Sequence, residues 1–369
     1  MNPSKGIDRN TRNPISLTPT EFWNLAGRAG RLTKDFEGNV YAVNINDWID
    51  NPLGKNKRER VIPSFYTFVC QRTSELMEFI DDENHASGVN EGFENTFMKL
   101  FNDYRNGRIE HVLARFKDNL SEEDTGNIVT KMESIFQKIS VPIEVTDSNP
   151  NISVFRQQEL LDYLLTRIQE KGPEYVIPPH PLHKYKNIRN DYLRLFKRLH
   201  NYFDKKPKNN NSHVYYSNLA LLWMRGLTYS ELLSNRINHN NDNRSRGQAN
   251  ANTEARGLFR EIETNLRFRY VKYTRCYNDL LSHALKETGH DSYIESIPPV
   301  YLFLELGACS QTMISLIGIG ITRTGASILA EYSHRTDMDR DDALSWLRST
   351  DLVAKNIPRT IMKEIEVLL

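Results

Sequence analysis

Apolar positions recur at helical spacing along most of the chain. Ile109, Val112, Leu113, Phe116 and Leu120 share one face, as do Ile128, Met132, Ile135, Phe136 and Ile139. Leu160, Leu161, Leu164, Leu165 and Ile168 form a third stripe. Ile188, Tyr192, Leu195, Phe196, Leu199 and Phe203 form a fourth, very regular one. Each stripe predicts an amphipathic helix with one buried side. The last third repeats the spacing, with a cap expected at Thr336-Asp337 before Leu344, Trp346 and Leu347 and a final helix opened by Pro358.

The first fifty residues have a different pattern. Thr18-Pro19-Thr20-Glu21 is a capping box with proline at the first helical position, so a short helix is expected from Pro19 towards Gly27. After Gly38, the β-rich run Asn39-Val40-Tyr41-Ala42-Val43-Asn44-Ile45 predicts a strand. Helix, glycine-rich turn and strand together predict the edge of an α/β layer, with residues 51–60 as the way out of it.

The expected organisation is therefore mostly α. A small α/β piece at 1–60 is followed by a helical region at 61–150 and a second helical region at 151–369. The boundary near 150 is placed at Thr146-Asp147-Ser148-Asn149-Pro150-Asn151, and Pro173 to Pro181 reads as a turn-rich connection. Residues 235–252 hold seven asparagines and three arginines with almost no apolar residue, which predicts a mobile loop.

Composition narrows the class without naming a chemistry. The 369 residues are 39% apolar and 26% charged, as in a globular protein, and the net charge of +1 leaves any basic surface local. Cys70, Cys276 and Cys309 are isolated, which argues against a disulfide framework or a zinc site and for a reducing, cytoplasmic setting. The apolar run from Met313 to Ile321 is too short for a membrane span, and no membrane partner is expected.

One string carries sharp chemistry: Asn24-Leu25-Ala26-Gly27-Arg28-Ala29-Gly30-Arg31. Two arginines three residues apart among small residues at a helix end suit bidentate contact with polyphosphate oxygens. The string resembles motif VI of superfamily-two nucleic-acid helicases of the Ski-like branch, written Gln-x-x-Gly-Arg-Ala-Gly-Arg. The resemblance implies that residues 1–60 are the end of a second RecA-like domain. It also implies that Arg28 and Arg31 are arginine fingers, a role worth about 10³–10⁵ in rate in other nucleotide hydrolases. Asn24 stands at the family's glutamine position with the amide kept and the reach shortened. The match covers about the first 45 residues.

No Gly-x-x-x-x-Gly-Lys-Ser/Thr loop occurs in the chain, and Asp82-Glu83-Asn84-His85 lies on the wrong side of motif VI to be the family's acidic box. Met1 is accordingly expected to fall inside the second RecA-like domain, in a shortened form, a split subunit or a gene remnant. ATP and magnesium would belong to the complete helicase, with the missing N-terminal RecA-like domain supplied by the same or a separate chain. No cofactor is expected on this chain alone.

Candidate strand-binding residues come from two basic stretches. The first holds Lys184, Lys186, Arg189, Arg194, Lys197 and Arg198. The second includes Arg267 and Arg269, interleaved with Phe268, Tyr270 and Tyr273. Cations with aromatics suit phosphate neutralisation and base stacking on single-stranded DNA or RNA. Two further stretches loosely resemble the same helicases. These are Trp223-Met224-Arg225-Gly226-Leu227 and the glycine-rich run Leu316 to Ala326, read as a hairpin ending near Arg323 whose amides suit a phosphate. His180 and His183 lack companions at metal spacing, and Asp337 to Asp341 fails as a calcium loop because Asp342 and Arg348 replace the required glycine and glutamate. The reading that competes with a helicase portion is a non-enzymatic module that binds nucleic acid or docks a partner.

Overall fold

The computed structural model describes residues 4–7, 14–16, 21–23, 63–82, 91–204, 211–243, 250–352 and 357–366. The chain divides into two units, Met1–Pro63 and Ser64–Leu369. In the first unit, β1 (Ser4–Ile7) and β2 (Pro14–Ser16) pair antiparallel, with Ser4 opposite Ser16 and Ile7 opposite Pro14. Proline is tolerated there because it opens its strand. Glu21–Trp23 is helical, a fragment of the helix expected from Pro19. Buried Phe22 meets Trp23 edge-on at 5.3 Å between ring centroids. The expected α/β layer is not seen among the described residues: the two strands make a local hairpin, and the strand expected at 39–45 lies outside them.

The regular elements of the second unit are all helical among its described residues. A helical turn at Ser64–Tyr66 and a π turn at Thr67–Gln71 lead into α1 (Thr73–Asp81), α2 (Glu91–Arg105), α3 (Ile109–Leu113) and α4 (Glu122–Phe136). Their core is unusually aromatic, with Phe79 stacked on Phe93 and Phe97 stacked on Phe155 at 5.4 Å. Ser121 caps α4 by accepting from the Asp124 amide. On α4, Ile128, Met132 and Ile135 are buried as their spacing predicts. Phe136 turns outward instead, resting on Tyr104 beneath the Arg105 guanidinium.

The stretch read as a boundary near residue 150 is packed rather than linking. α5 (Ile143–Ser148) carries buried Val145 and Thr146, and the buried Asn149 amide donates to Asp279 at 2.8 Å. Its polar residues are consumed by caps and cross-helix bonds, which a turn-like composition conceals.

The central layer follows: α6 (Val154–Lys171), α7 (Ile188–Leu199), α8 (Ser212–Met224), α9 (Tyr229–Asn243), α10 (Ala251–Glu261), α11 (Val271–Glu287) and α12 (Val300–Leu306). A π segment, Ile262–Tyr270, joins α10 to α11. α11 is the hub, with Cys276, Tyr277, Leu280, Leu281, Ala284 and Leu285 fully buried. Each such large apolar side chain contributes roughly 1.5–3 kcal/mol by leaving water.

The asparagine-rich stretch expected to be a mobile loop is helical as far as Asn243. Arg236 supplies the reason: it bonds Glu254 and Glu261 on α10 and the Tyr215 hydroxyl on α8. Those bonds offset the ordering entropy that composition alone cannot.

The last layer is α13 (Gln311–Gly318), α14 (Arg323–Ser333), α15 (Arg340–Ser349) and α16 (Arg359–Glu366), closed around Leu316, Ile321, Leu329, Leu347, Ile361 and Ile365. α16 starts directly after Pro358, as expected. The α15 cap is Asp339, which accepts from the Asp342 amide, and not the Thr336-Asp337 pair. The glycine-rich run is likewise not a hairpin but a helix end and a turn. Gly320 takes a φ of 108° and Thr322 caps α14 through the Gly325 amide.

Candidate nucleic-acid interface

α7 presents one wall to solvent. Lys184 and Lys186 in the preceding loop, and Arg189, Arg194 and Lys197 on the helix, are all exposed. At about 100° per residue the three helical cations fall within roughly 140° of arc. Ile188, Tyr192, Leu195, Phe196 and Leu199 bury the opposite side. Arg194 shares Asp191 with the Tyr185 hydroxyl.

Arg198 does not belong to that surface. Its Nε donates to the Tyr163 hydroxyl at 3.2 Å, and its terminal nitrogens donate to the Tyr277 hydroxyl at 3.1 Å and the Tyr175 carbonyl at 2.9 Å. The residue is only 8% exposed. It ties α7 to α6 and α11, and no carboxylate neutralises it among these bonds. A charge run conceals such a role because guanidinium stems and phenol partners lie far apart in sequence.

The second basic stretch is also divided. Arg267 is exposed, bridged to Glu263 and bonded to the Glu305 carbonyl. Arg269 is half-buried, near Asp204 at 3.7 Å and over the Tyr270 ring at 5.0 Å. Asp204 also accepts from the Tyr273 hydroxyl. Tyr270 and Tyr273 are therefore core residues, whereas Phe268 is 72% exposed.

Arg323 turns inward as well. It donates to the carbonyls of Gly307, Trp223 and Leu227 at 2.8–2.9 Å and lies 3.7 Å over the Trp223 ring. Burial pulls its pKa down to about 10, which still leaves it charged at neutral pH. The α14 N-terminus, expected to suit a phosphate, is filled by the protein's own carboxylate. Glu364 accepts from the Thr322 amide and hydroxyl, and its Oε2 stands 2.9 Å from where a Gly325 side chain would begin.

Beside α7 lies a cleft of about 1010 Å³, lined among others by Tyr175, Pro178, His180, Tyr185, Arg194 and Tyr293. At its edge the Tyr175 ring is ringed by Lys171 Nζ at 4.5 Å, the Arg198 guanidinium at 5.1 Å and that of Arg194 at 5.6 Å. Desolvation pushes the Tyr175 phenol up, but Lys171, Arg198 and Arg194 outweigh it and hold the group below its ordinary pKa. His180 is pushed down, first by burial and then by neighbouring His183. Lys171, Tyr175 and Tyr185 were not singled out by sequence reasoning. The only sequence signal was aromatic residues alternating with proline and cations across 171–186.

Asn24, Arg28 and Arg31 lie outside the described residues. Among the described residues no group of three or more histidine, cysteine or acidic side chains is placed to hold a metal ion. No single helix among them is long and apolar enough to cross a membrane. No protein-family profile matches the chain, and no curated protein or solved structure matches it.

Proposed function

We propose that the chain is the C-terminal portion of an ATP-dependent superfamily-two helicase, from motif VI onward, with a helical region that holds a single strand of DNA or RNA. The observation that carries the strand-binding part is the exposed cationic wall of Arg189, Arg194 and Lys197 on a helix whose other side is core, with exposed Lys184 and Lys186 in the loop before it. Such a wall suits a phosphate backbone, and its affinity falls with salt as bound counterions are released. The helicase part is supported by the string Asn24 to Arg31. In that reading, Arg28 and Arg31 reach an ATP and magnesium held by the RecA-like domain that carries the phosphate loop.

The test is binding of a labelled single strand across a salt series. Affinity that drops steeply with salt, and drops further in Arg189→Glu with Lys197→Glu, supports the proposal. Absence of binding at low salt overturns the strand-binding part and leaves a partner-docking module.

A further inference from the structure

The cleft beside α7 has the chemistry of a nucleotide site. Its 1010 Å³ is at the upper end of ligand-pocket volumes and exceeds what one nucleotide fills. Three cations, Lys171, Arg194 and Arg198, converge on the Tyr175 ring. Two carboxylates line the same cleft, Glu174 and Asp191, and Asp191 is already shared by Arg194 and the Tyr185 hydroxyl. Arg198 takes only neutral oxygens as hydrogen-bond partners: two phenols and a carbonyl. A charge held this way keeps its field, because dipoles orient towards it without cancelling it.

The rest of the lining differs from this cationic edge. Ile177, Pro178, Pro179, Leu195 and Tyr293 give apolar and aromatic surface, and His180 stays neutral near neutral pH because burial and His183 oppose its charge. A cationic edge next to apolar and aromatic side chains fits an anion joined to a planar ring. A bare inorganic anion would leave most of that volume to water.

We propose that the cleft binds one nucleotide unit, its phosphate at Lys171, Arg194 and Arg198 beside Tyr175 and its base against the apolar wall. The choice of a nucleotide among phosphate esters rests on the strand-binding reading above; the anion site does not. The unit can belong to a strand or be a free mononucleotide, and the shared chemistry is a phosphate ester carrying a heteroaromatic ring.

The experiment measures binding of the full chain to a 5′-mononucleotide, to inorganic phosphate and to a labelled oligonucleotide. It compares the wild type with Lys171→Ala plus Arg194→Ala, and with Tyr175→Leu. The expected result is mononucleotide binding tighter than phosphate binding, weakened at least about tenfold in the double variant at an unchanged melting temperature. A strand carrying 4-thiouridine is expected to cross-link at Tyr175, His180 or Tyr185. Strand binding that is equal in wild type and double variant, with cross-links elsewhere, overturns the cleft site and removes Arg194 from the α7 wall, leaving Arg189 and Lys197 to carry it. Mononucleotide held without any strand binding sustains the cleft and overturns the strand-binding reading. Phosphate bound as tightly as mononucleotide overturns the base wall, and binding of no probe overturns both.

Discussion

The Arg323 guanidinium carbon lies over the Trp223 ring, 3.7 Å from its centre, and Arg323 also donates to the Trp223 carbonyl. This pairing joins the central layer to the last one. The stretches around Trp223 and Arg323 are thereby one structural unit. Arg323→Met keeps much of the stem but leaves three carbonyls without their charged donor, at a cost of about 3 kcal/mol. Chemical denaturation measures it. A loss under about 1 kcal/mol means the contact is incidental.

Gly307 belongs to the same junction. Its φ is +67°, and a Cβ there would stand 2.3 Å from Arg323 Nε and 2.5 Å from the Trp223 ring. Gly107 has a nearly identical φ of +65° with nothing within 4 Å. Gly107→Ala therefore costs only the left-handed backbone term, about 1–2 kcal/mol. Gly307→Ala adds overpacking of about 1–3 kcal/mol. Equal losses in the two variants, measured side by side, count against the close packing described here.

This junction also shows what the sequence made legible. The helices were readable because stripes such as Ile188, Tyr192, Leu195, Phe196 and Leu199 repeat at 3.6 residues and are buried as a set. The roles of Arg198, Arg236 and Arg323 were not, since each is fixed by partners 16 to 100 residues away. A guanidinium among phenols and carbonyls looks, in one dimension, like any member of a basic run. Asn149 and the asparagine-rich α9 misled in the opposite sense, because turn-forming composition says nothing of a buried bond across helices. The cleft combines both difficulties: it draws on the Pro173–Tyr175 turn, the loop at 177–185, α7 and residues 292–296.

His180 sets an acid limit on the cleft. Its Nδ1 accepts from the Leu182 amide at 3.3 Å, its ring faces Phe303 at 5.2 Å, and the His183 ring lies 5.9 Å from it. Burial, and after it His183, holds the folded pKa below the ordinary value. The unfolded chain then binds more protons, so stability falls as pH drops below about 6.5 and the loss levels off below the folded pKa. Thermal melts should show this slope in the wild type and a shallower one in His180→Gln. Identical slopes would assign the acid sensitivity to another group.

Arg198 and the exposed cations should separate cleanly in experiment. Arg198→Met breaks three bonds inside the fold and is expected to lower stability by about 2–4 kcal/mol. Arg189→Glu with Lys197→Glu leaves stability within about 0.5 kcal/mol, since both side chains face solvent. The same pair should weaken strand binding and flatten its salt dependence by roughly the two lost phosphate contacts. Denaturation and binding measured on the same preparations decide the matter. A double variant that binds as the wild type does removes this wall from the interface.

In the proposed helicase reading, Arg28 and Arg31 require the ATP-holding domain for their test. Arg28 and Arg31 are expected to act on charge that develops only as the γ-phosphoryl group transfers, so each is worth more to turnover than to ATP binding. In the protein supplied with a phosphate-loop domain, on the same or a separate chain, Arg28→Ala and Arg31→Ala should lower kcat by about 10³-fold or more. ATP affinity should change far less, while strand affinity in the absence of nucleotide stays unchanged. Asn24→Ala should cost less than either, because its amide is set back by one methylene from the family's glutamine. Lysine at Arg31 should not restore turnover, since an ammonium cannot make the planar two-point contact of a guanidinium. Full turnover in the double alanine variant would detach the motif from hydrolysis and leave the α7 wall as the functional surface of the chain.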